Sequence, residues 1–457
     1  MNRLRAPGFP EEAVRRRARQ GPAAGYPPAA DYGGTLFGAD PAGPADSAGS
    51  GWAAGHAGAD QLDAARLVPP VFMPQRLEKL IDLGREPTHR DVELDTLIGG
   101  FRSSLPLYVS AFGSTVAGSD LGLAVSRQAG ELGIPMVIGE NVVPVAGYGR
   151  LGPTGDRSLL ARLRAYAGAA PPGLGGVAVQ QSTEDADAEV WNLVYSDPAA
   201  HELLASGRLA FELKVGQGAK PGLGGMTVLD ADTAARLTGR YQLDPIFDGD
   251  GSGSGSGDGS GGRVLRAATP GTYTEEILRQ QIRLMRNNFP EARVWVKLHP
   301  ARDVRDAAAV AWAAGADAVT VDGAEGGTGW APLPAFAHVG LPLAECLLRL
   351  DNRSDCLLVS GRVWEGTRVA KCLALGARAA GLGRAALLAA DEDPDRGLLR
   401  FAGCLAEELR LLVSALGKYR PAALGREDLW WPGQPPEPAA APAAAPDRTA
   451  ATCRTEG

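Results

Sequence analysis

The strongest constraint on the fold is an alternation between about residues 67 and 432, where short β-branched runs give way to longer stretches of helical periodicity. The runs are LPLYVSA (105–111), PMVIGE (135–140), GVAVQQ (176–181), AFELKV (210–215), VWVKLH (294–299), DAVTVDG (317–323), CLLVSG (356–361) and AAGLG (379–383). Helical stretches such as TEEILRQQIRLMRNNF (274–289) and DVRDAAAVAWAAGA (303–316) separate them, and GLLRFAGCLAEELRLLVSALG follows the last. Near-continuous apolar strands between amphipathic helices describe a parallel sheet covered on its outer face. An open doubly wound sheet would carry G-x-G-x-x-G after its first strand, and that turn is missing. Eight units predict an α/β fold of the closed (β/α)8 TIM-barrel type.

Composition marks what lies outside the barrel. Gly (61) and Pro (34) make up 95 of 457 residues, below the roughly 25–30% of a low-complexity chain. The excess gathers in residues 1–66, in DGDGSGSGSGDGSGG (248–262) and in PPEPAAAPAAAPDRTAATCRTEG at the C-terminus. These have too few large apolar side chains to offset ordering entropy. The expected division is a largely disordered N-terminal extension (1–66), a barrel domain (67–432) with a flexible insert (248–262), and a disordered Pro/Ala tail (433–457).

A net charge of −7 with no basic, aromatic-interleaved stripe argues against a nucleic-acid partner. No apolar run reaches the roughly 20 residues of a membrane span. The cluster Arg15, Arg16, Arg17 and Arg19 lacks the apolar stretch that follows in a secretion signal. A cytoplasmic protein with no membrane partner is expected. Five dispersed histidines and five cysteines without a close pair predict neither a disulfide framework nor a metal site. Cys346, Cys356, Cys372 and Cys404 lie in apolar stretches, as buried thiols do.

Barrel chemistry gathers at the carboxyl ends of the strands. Those ends carry Ser110, Glu140, Gln180 or Gln181, Lys214, Lys297, Asp322 and Ser360, with a GLGR turn ending at Arg384. The last two turns, SGR (360–362) and GLGR (381–384), stand where barrels commonly hold a phosphate; glycine admits backbone N–H groups and arginine adds a bidentate contact. No Ser-His-Asp or Cys-His arrangement and no close carboxylate pair stands out. A phosphorylated cofactor suits the set. Flavin mononucleotide would use each part: a lysine stabilises the reduced ring at its N1–C2=O edge, and amides and hydroxyls bond the pyrimidine edge.

The run VGQGAKPGLGGM (215–226) resembles the QGAKPG-x-GG signature of the FMN domain of glutamate synthase. LPLYVSAFGS (105–114), PMVIGEN (135–141), VTVDGAEGGTGWAP (319–332) with HVGLP (338–342), and CLLVSGRVWEGTRVAKCLALGARAAGLGRAAL (356–387) resemble further blocks of that family in order, over roughly residues 67–390. With Met226 after the GG pair, the chain is most similar to stand-alone FMN subunits of the glutamate or N-methylglutamate synthase type. The resemblance implies catalytic roles for Lys220, Glu140 and Lys297. It implies FMN contacts from Ser110, Ala111, Gln180, Lys214, Lys297, Gly327, Ser360, Gly361, Arg362, Gly383 and Arg384, and substrate contacts from Lys220, Arg240 (or Arg236) and Thr274.

Three departures from the family stand out. Its closely spaced cysteine ligands of a 3Fe–4S cluster give way to LAADEDPDRGLLRFAGCLAEELR with Cys404 alone, so no iron–sulfur cluster is expected. The N-terminal glutaminase domain is also expected to be absent. Arg362 replaces a glycine of the phosphate turn, and Arg384 a threonine. The implied activity is FMN-dependent reduction of an imine, formed from a 2-oxoglutarate-like 2-oxo acid and ammonia or an amine, to an amino acid. A reductase or amidotransferase partner subunit would accompany it. The alternatives are a cluster-free FMN oxidoreductase for another amine or oxo acid, with His299 near the strand ends, and a non-catalytic partner subunit.

Overall fold

The computed structural model describes residues 4–36, 61–140, 142–143, 157–182, 189–230, 234–235, 239, 242–244, 246, 263–267, 269–350 and 355–433. Eight strands form a closed barrel: β1 (Leu107–Phe112), β2 (Met136–Ile138), β3 (Val177–Gln181), β4 (Leu209–Lys214), β5 (Arg293–Leu298), β6 (Ala318–Asp322), β7 (Leu357–Ser360) and β8 (Ala379–Leu382). Each pairs in parallel with the next in sequence, and β8 closes on β1 through Gly381↔Tyr108 and Leu382↔Val109. These are the eight predicted runs. The helices that bear on the site are α1 (Glu11–Gln20), α2 (Val116–Leu132), α3 (Leu159–Ala169), α4 (Glu275–Asn288), α5 (Gly366–Ala374), α6 (Arg384–Glu392) and α7 (Gly397–Ala415).

Helix α4 shows why such segments form. The Thr274 hydroxyl accepts from Ile277 N at 3.2 Å, Glu275 and Glu276 face the positive end of the helix dipole, and Leu278, Ile282 and Met285 bury one stripe against the barrel. Pro290 follows the helix and bars its continuation.

The strand period of two fixes the barrel interior. The lowest inward layer is apolar, with Tyr108, Val137, Ala178, Ala210, Trp295, Ala318, Leu358 and Ala379 in one cluster. Two residues further along most of these strands, the same face carries Ser110, Gln180, Glu212, Lys297, Thr320, Ser360 and Gly381. The polar set thus sits on an apolar floor.

A hairpin the sequence reading did not register closes the floor from below. Thr96–Ile98 pairs antiparallel with Phe101–Ser103 around Gly99 and Gly100, at φ 53° and 92°, the left-handed pair a tight hairpin turn requires. Phe101 lies 5.2 Å from Trp295, whose Nε1 donates to Gly99 O at 3.0 Å. A Cβ on Gly99 would meet the Trp295 indole at 2.4 Å, so glycine is needed there for space as well as for φ.

Residues 4–36 depart from the expected disordered extension. Helix α1 buries Val14, Arg15, Arg17 and Ala18 against α6 and α7, because its arginines find carboxylates there: Arg15 reaches Asp391 at 2.8 Å and Arg17 reaches Glu408 at 2.7 Å. Composition hid this segment because much of its docking comes from ion pairs to distant carboxylates, beside a small apolar contact of Phe9, Val14 and Ala18. Residues 37–60, the predicted insert 248–262 and residues 434–457 lie outside the described residues. After β4 the chain adds an antiparallel sheet of Met226–Asp230, Arg263–Ala267 and Gln242–Asp244. No helix among the described residues is long and apolar enough to cross a membrane.

Trp295→Ala removes the largest fully buried side chain of the floor and leaves Phe101 and Gly99 facing a void. We expect a loss of about 3–5 kcal/mol, read as a lower urea midpoint; an unchanged midpoint would show that the hairpin seals the barrel without it.

Candidate functional site

The polar layer is an interlocked set of buried ionisable groups. Gln180 Nε2 donates to Glu212 Oε2 at 2.5 Å, and Thr320 Oγ1 donates to Glu212 Oε1 at 3.1 Å. Lys297 Nζ lies 3.0 Å from Asp322 Oδ2, which also accepts from Gly218 N at 3.1 Å; Ser360 Oγ donates to Asp322 Oδ1. Burial pushes Glu212 above its ordinary range despite Lys297 and Gln180. It works the other way on Lys297, but Asp322 and Glu212 outweigh it and raise the ammonium pKa. Burial opposes ionisation of Asp322 as well, and Lys297 and Ser360 hold its carboxyl low.

At the mouth, Lys214 donates to Glu140 Oε1 and to Gln217 Oε1, the latter at 2.9 Å. Burial pushes the Glu140 carboxyl up; the charge and hydrogen bond of Lys214, with Lys220 nearby, overcome it and hold the pKa below the usual value. Lys220 is itself buried, in the turn that follows β4. Ser182 lies close enough to Glu140 to help hold its carboxyl low, and Ser110 to the Tyr108 hydroxyl; among the described residues Gln181 Oε1 is buried with no hydrogen-bond partner. An orphaned acceptor at a barrel mouth suits a ligand that carries a complementary donor.

The ends of β7 and β8 form a second, cationic region. Arg362 takes φ 53°, the left-handed conformation that favours glycine, and pairs with Asp63 Oδ2 at 2.8 Å. Asp63 Oδ1 pairs with Arg368 at 2.8 Å, and Lys371 donates to Leu62 O at 2.7 Å. Arg384, the first residue of α6, lies across Gly327, donates to Glu325 O at 2.6 Å, and sets its guanidinium 4.5 Å from the Phe9 ring centre. Among the described residues Arg384 has no carboxylate at ion-pair distance. Desolvation and neighbouring Arg362 push its pKa down to about 10. Gly383 caps α6 without a side-chain hydrogen bond, and a Cβ there would meet nothing within 4 Å. An uncapped helix N-terminus, open space and a cation without a carboxylate together suit an anion.

Residues 268–392 match the conserved region of glutamate synthase. The archaeal-type glutamate synthase [NADPH] of Thermotoga maritima is 34% identical over 189 residues, 39% of this chain and 34% of that protein. A glutamate synthase large subunit-like protein of Rhizobium meliloti is 34% identical over 194 residues, 40% of each chain. The chain thus covers well under half the length of these curated relatives. A flavocytochrome b2 variant solved with benzoylformate superposes with a TM-score of 0.50 at 17% identity, covering 81% of this chain and 76% of that one, a likeness of fold. The glutamate synthase region runs from before α4 through β5 to β8 and α6, and so contains Lys297, Asp322, Ser360 and both arginines of the cationic end.

The structure brings together Ser110, Glu140, Gln180, Lys214, Lys220, Lys297 and Ser360, and sets Gly327, Gly361, Arg362, Gly383 and Arg384 around the ends of β7 and β8. Ala111 is partly buried beside Ser110. Thr274 is an exposed helix cap; Arg240 and Arg236 lie outside the described residues. His299 follows β5 with its Nδ1 buried and without a hydrogen-bond partner among the described residues, and desolvation lowers its pKa. The sequence reading missed Glu212 because it looked only at strand ends. The same-face spacing of Glu212 and Lys214 would have found it. It also missed Asp63, whose signal lies in no motif. Arg162 is a third omission: on α3, it donates to Phe112 O at 3.1 Å and ties that helix to the end of β1.

The isoalloxazine end of an FMN fits the buried Ser110 hydroxyl, Gln180 and the ammonium of Lys297. Its phosphate fits Gly383, the start of α6 and Arg384. Arg362 differs from the expectation of a free phosphate contact, because Asp63 holds one face of its guanidinium.

Two pH measurements test these electrostatics. Lys214→Met strips Glu140 of its main counter-ion. Because the folded pKa of Glu140 is depressed, the stabilisation exists above the unfolded carboxyl pKa and fades as pH falls through the folded value. The gap in urea midpoint between wild type and variant should therefore be large at pH 7 and shrink below about pH 4; a constant gap would refute the pairing. Glu365, buried near Glu408, is pushed up to about 7. A raised carboxyl gives stability that is full below the unfolded pKa and lost as pH rises through the folded one. Glu365→Gln should remove the decline in stability between about pH 4.5 and pH 7, and a wild-type slope in the variant would contradict it.

Proposed function

We propose that this protein is an FMN-dependent oxidoreductase of glutamate-synthase type, acting on the imine of a 2-oxoglutarate-like acid and ammonia or an amine. The observation that carries this reading is the buried Lys297, set over an apolar floor and inside the glutamate synthase region. When bound, FMN supplies hydride transfer at its ring. Lys297 provides a fixed positive charge where negative charge develops, and Asp322 and Glu212 keep that ammonium protonated in a dry site. Lys220 and Lys214 offer cations for substrate carboxylates, and Glu140 sets their spacing. Hydride delivery to an imine carbon would require substrate held in one orientation with water excluded, a task for the residues of the mouth.

A cluster-free protein is part of this reading, because Cys404 stands alone in LAADEDPDRGLLRFAGCLAEELR and one thiolate cannot hold a cluster. Electrons then arrive from a reductase partner subunit, a nicotinamide cofactor or the substrate.

Purified protein should show flavin bands near roughly 370 and 450 nm, release FMN on acid treatment and lack broad iron–sulfur absorbance. Anaerobic addition of NADPH, or of glutamate in the reverse direction, should bleach the bands, and Lys297→Met should slow the bleaching at least about tenfold. A colourless protein that FMN does not reconstitute would overturn the proposal and favour a non-catalytic partner.

A further inference from the structure

The N-terminal segment grips one helix at both ends. At the start of α6, Phe9 lies against the Arg384 guanidinium, 4.5 Å from Cζ to ring centre. At its end, Asp391 takes Leu4 N at 3.2 Å and Arg15 at 2.8 Å, while Glu392 takes Arg15 at 3.2 Å and Arg19 at 3.0 Å. Arg15 is 1% exposed and Phe9 8%, so the grip is a packed contact. Further along, Arg17 joins Glu408 and lies 4.9 Å from the Trp364 ring, and Tyr26 donates to Glu407 at 2.8 Å.

We propose that residues 4–26 are a clamp that holds the cationic end of the site ready for a ligand phosphate, with Phe9 as the positioning residue for Arg384. This rests on the flavin reading above. An aromatic face beneath a desolvated guanidinium stabilises the charge without neutralising it. A carboxylate in that place would cancel the attraction for an anion, and open solvent would let the side chain wander. Phe9 leaves Arg384 charged and fixed beside the uncapped start of α6, with the Glu325 carboxylate acting on it only from beyond ion-pair distance. Asp63 does the opposite for Arg362 and Arg368, so of these three arginines Arg384 is the one without an ion pair among the described residues. Because the clamp and the ligand meet at one guanidinium, each strengthens the hold of the other.

The test compares Phe9→Leu with wild type, since leucine keeps an apolar body and removes the ring face. Apoprotein is titrated with FMN and, separately, with riboflavin, which has no phosphate; flavin fluorescence reports each Kd, and amide hydrogen exchange reports the Glu11–Gln20 helix. The expected result is FMN binding about tenfold weaker in the variant with riboflavin binding unchanged. FMN should also slow exchange in Glu11–Gln20 more in wild type than in Phe9→Leu. Equal losses for FMN and riboflavin, or no loss for either, would overturn the clamp, as would exchange that ignores FMN. Wild-type protein that binds riboflavin and FMN equally would overturn the phosphate role of Arg384 and leave the flavin reading standing. Protein that takes up neither would overturn both.

Discussion

The interior of an eight-stranded barrel is only as wide as the side chains that fill it, so any charge on the inward face must find its partner on another strand. Here Lys297 on β5 lies between Asp322 on β6 and Glu212 on β4. Gln180, Thr320 and Ser360 satisfy the remaining carboxylate oxygens. Breaking such a set by removing one member leaves an uncompensated buried charge, which costs more than the set itself contributes. The strand register, the Gly381 position where a Cβ would strike Ser110 Oγ at 2.3 Å, and the apolar floor all keep this layer in place.

Two carboxylates near one another are driven in opposite directions. Glu212 sits deep, and burial raises its pKa; Glu140 sits at the rim beside two lysines, which hold its pKa low. That separation comes from environment, since both begin with the same intrinsic acidity. The cationic end follows the same logic: Asp63 compensates Arg362 and Arg368, while Arg384 has an aromatic ring and a carbonyl.

The barrel was legible because its signal is periodic and local: eight apolar runs, each backed by a helix whose stripe repeats at three and four residues. Ser110, Gln180, Lys214, Lys297 and Ser360 were legible because strand ends point chemistry to one rim. Glu212 escaped because it lies two residues inside its strand, where a charge is unexpected until its partners on three other strands are known. The hairpin under the floor is two three-residue strands, too short for a pattern. The N-terminal clamp escaped because much of its docking comes from ion pairs across more than 370 residues of chain, and nothing in the local composition of residues 4–26 records them.

The most direct test of the account is a crystal structure of the protein after incubation with FMN. The account places the flavin ring at the mouth above Lys297, Gln180 and Ser110, with the phosphate between the start of α6 and Arg384. Flavin bound elsewhere, or a phosphate held by Arg362 with Asp63 displaced and Arg384 still on Phe9, would contradict it.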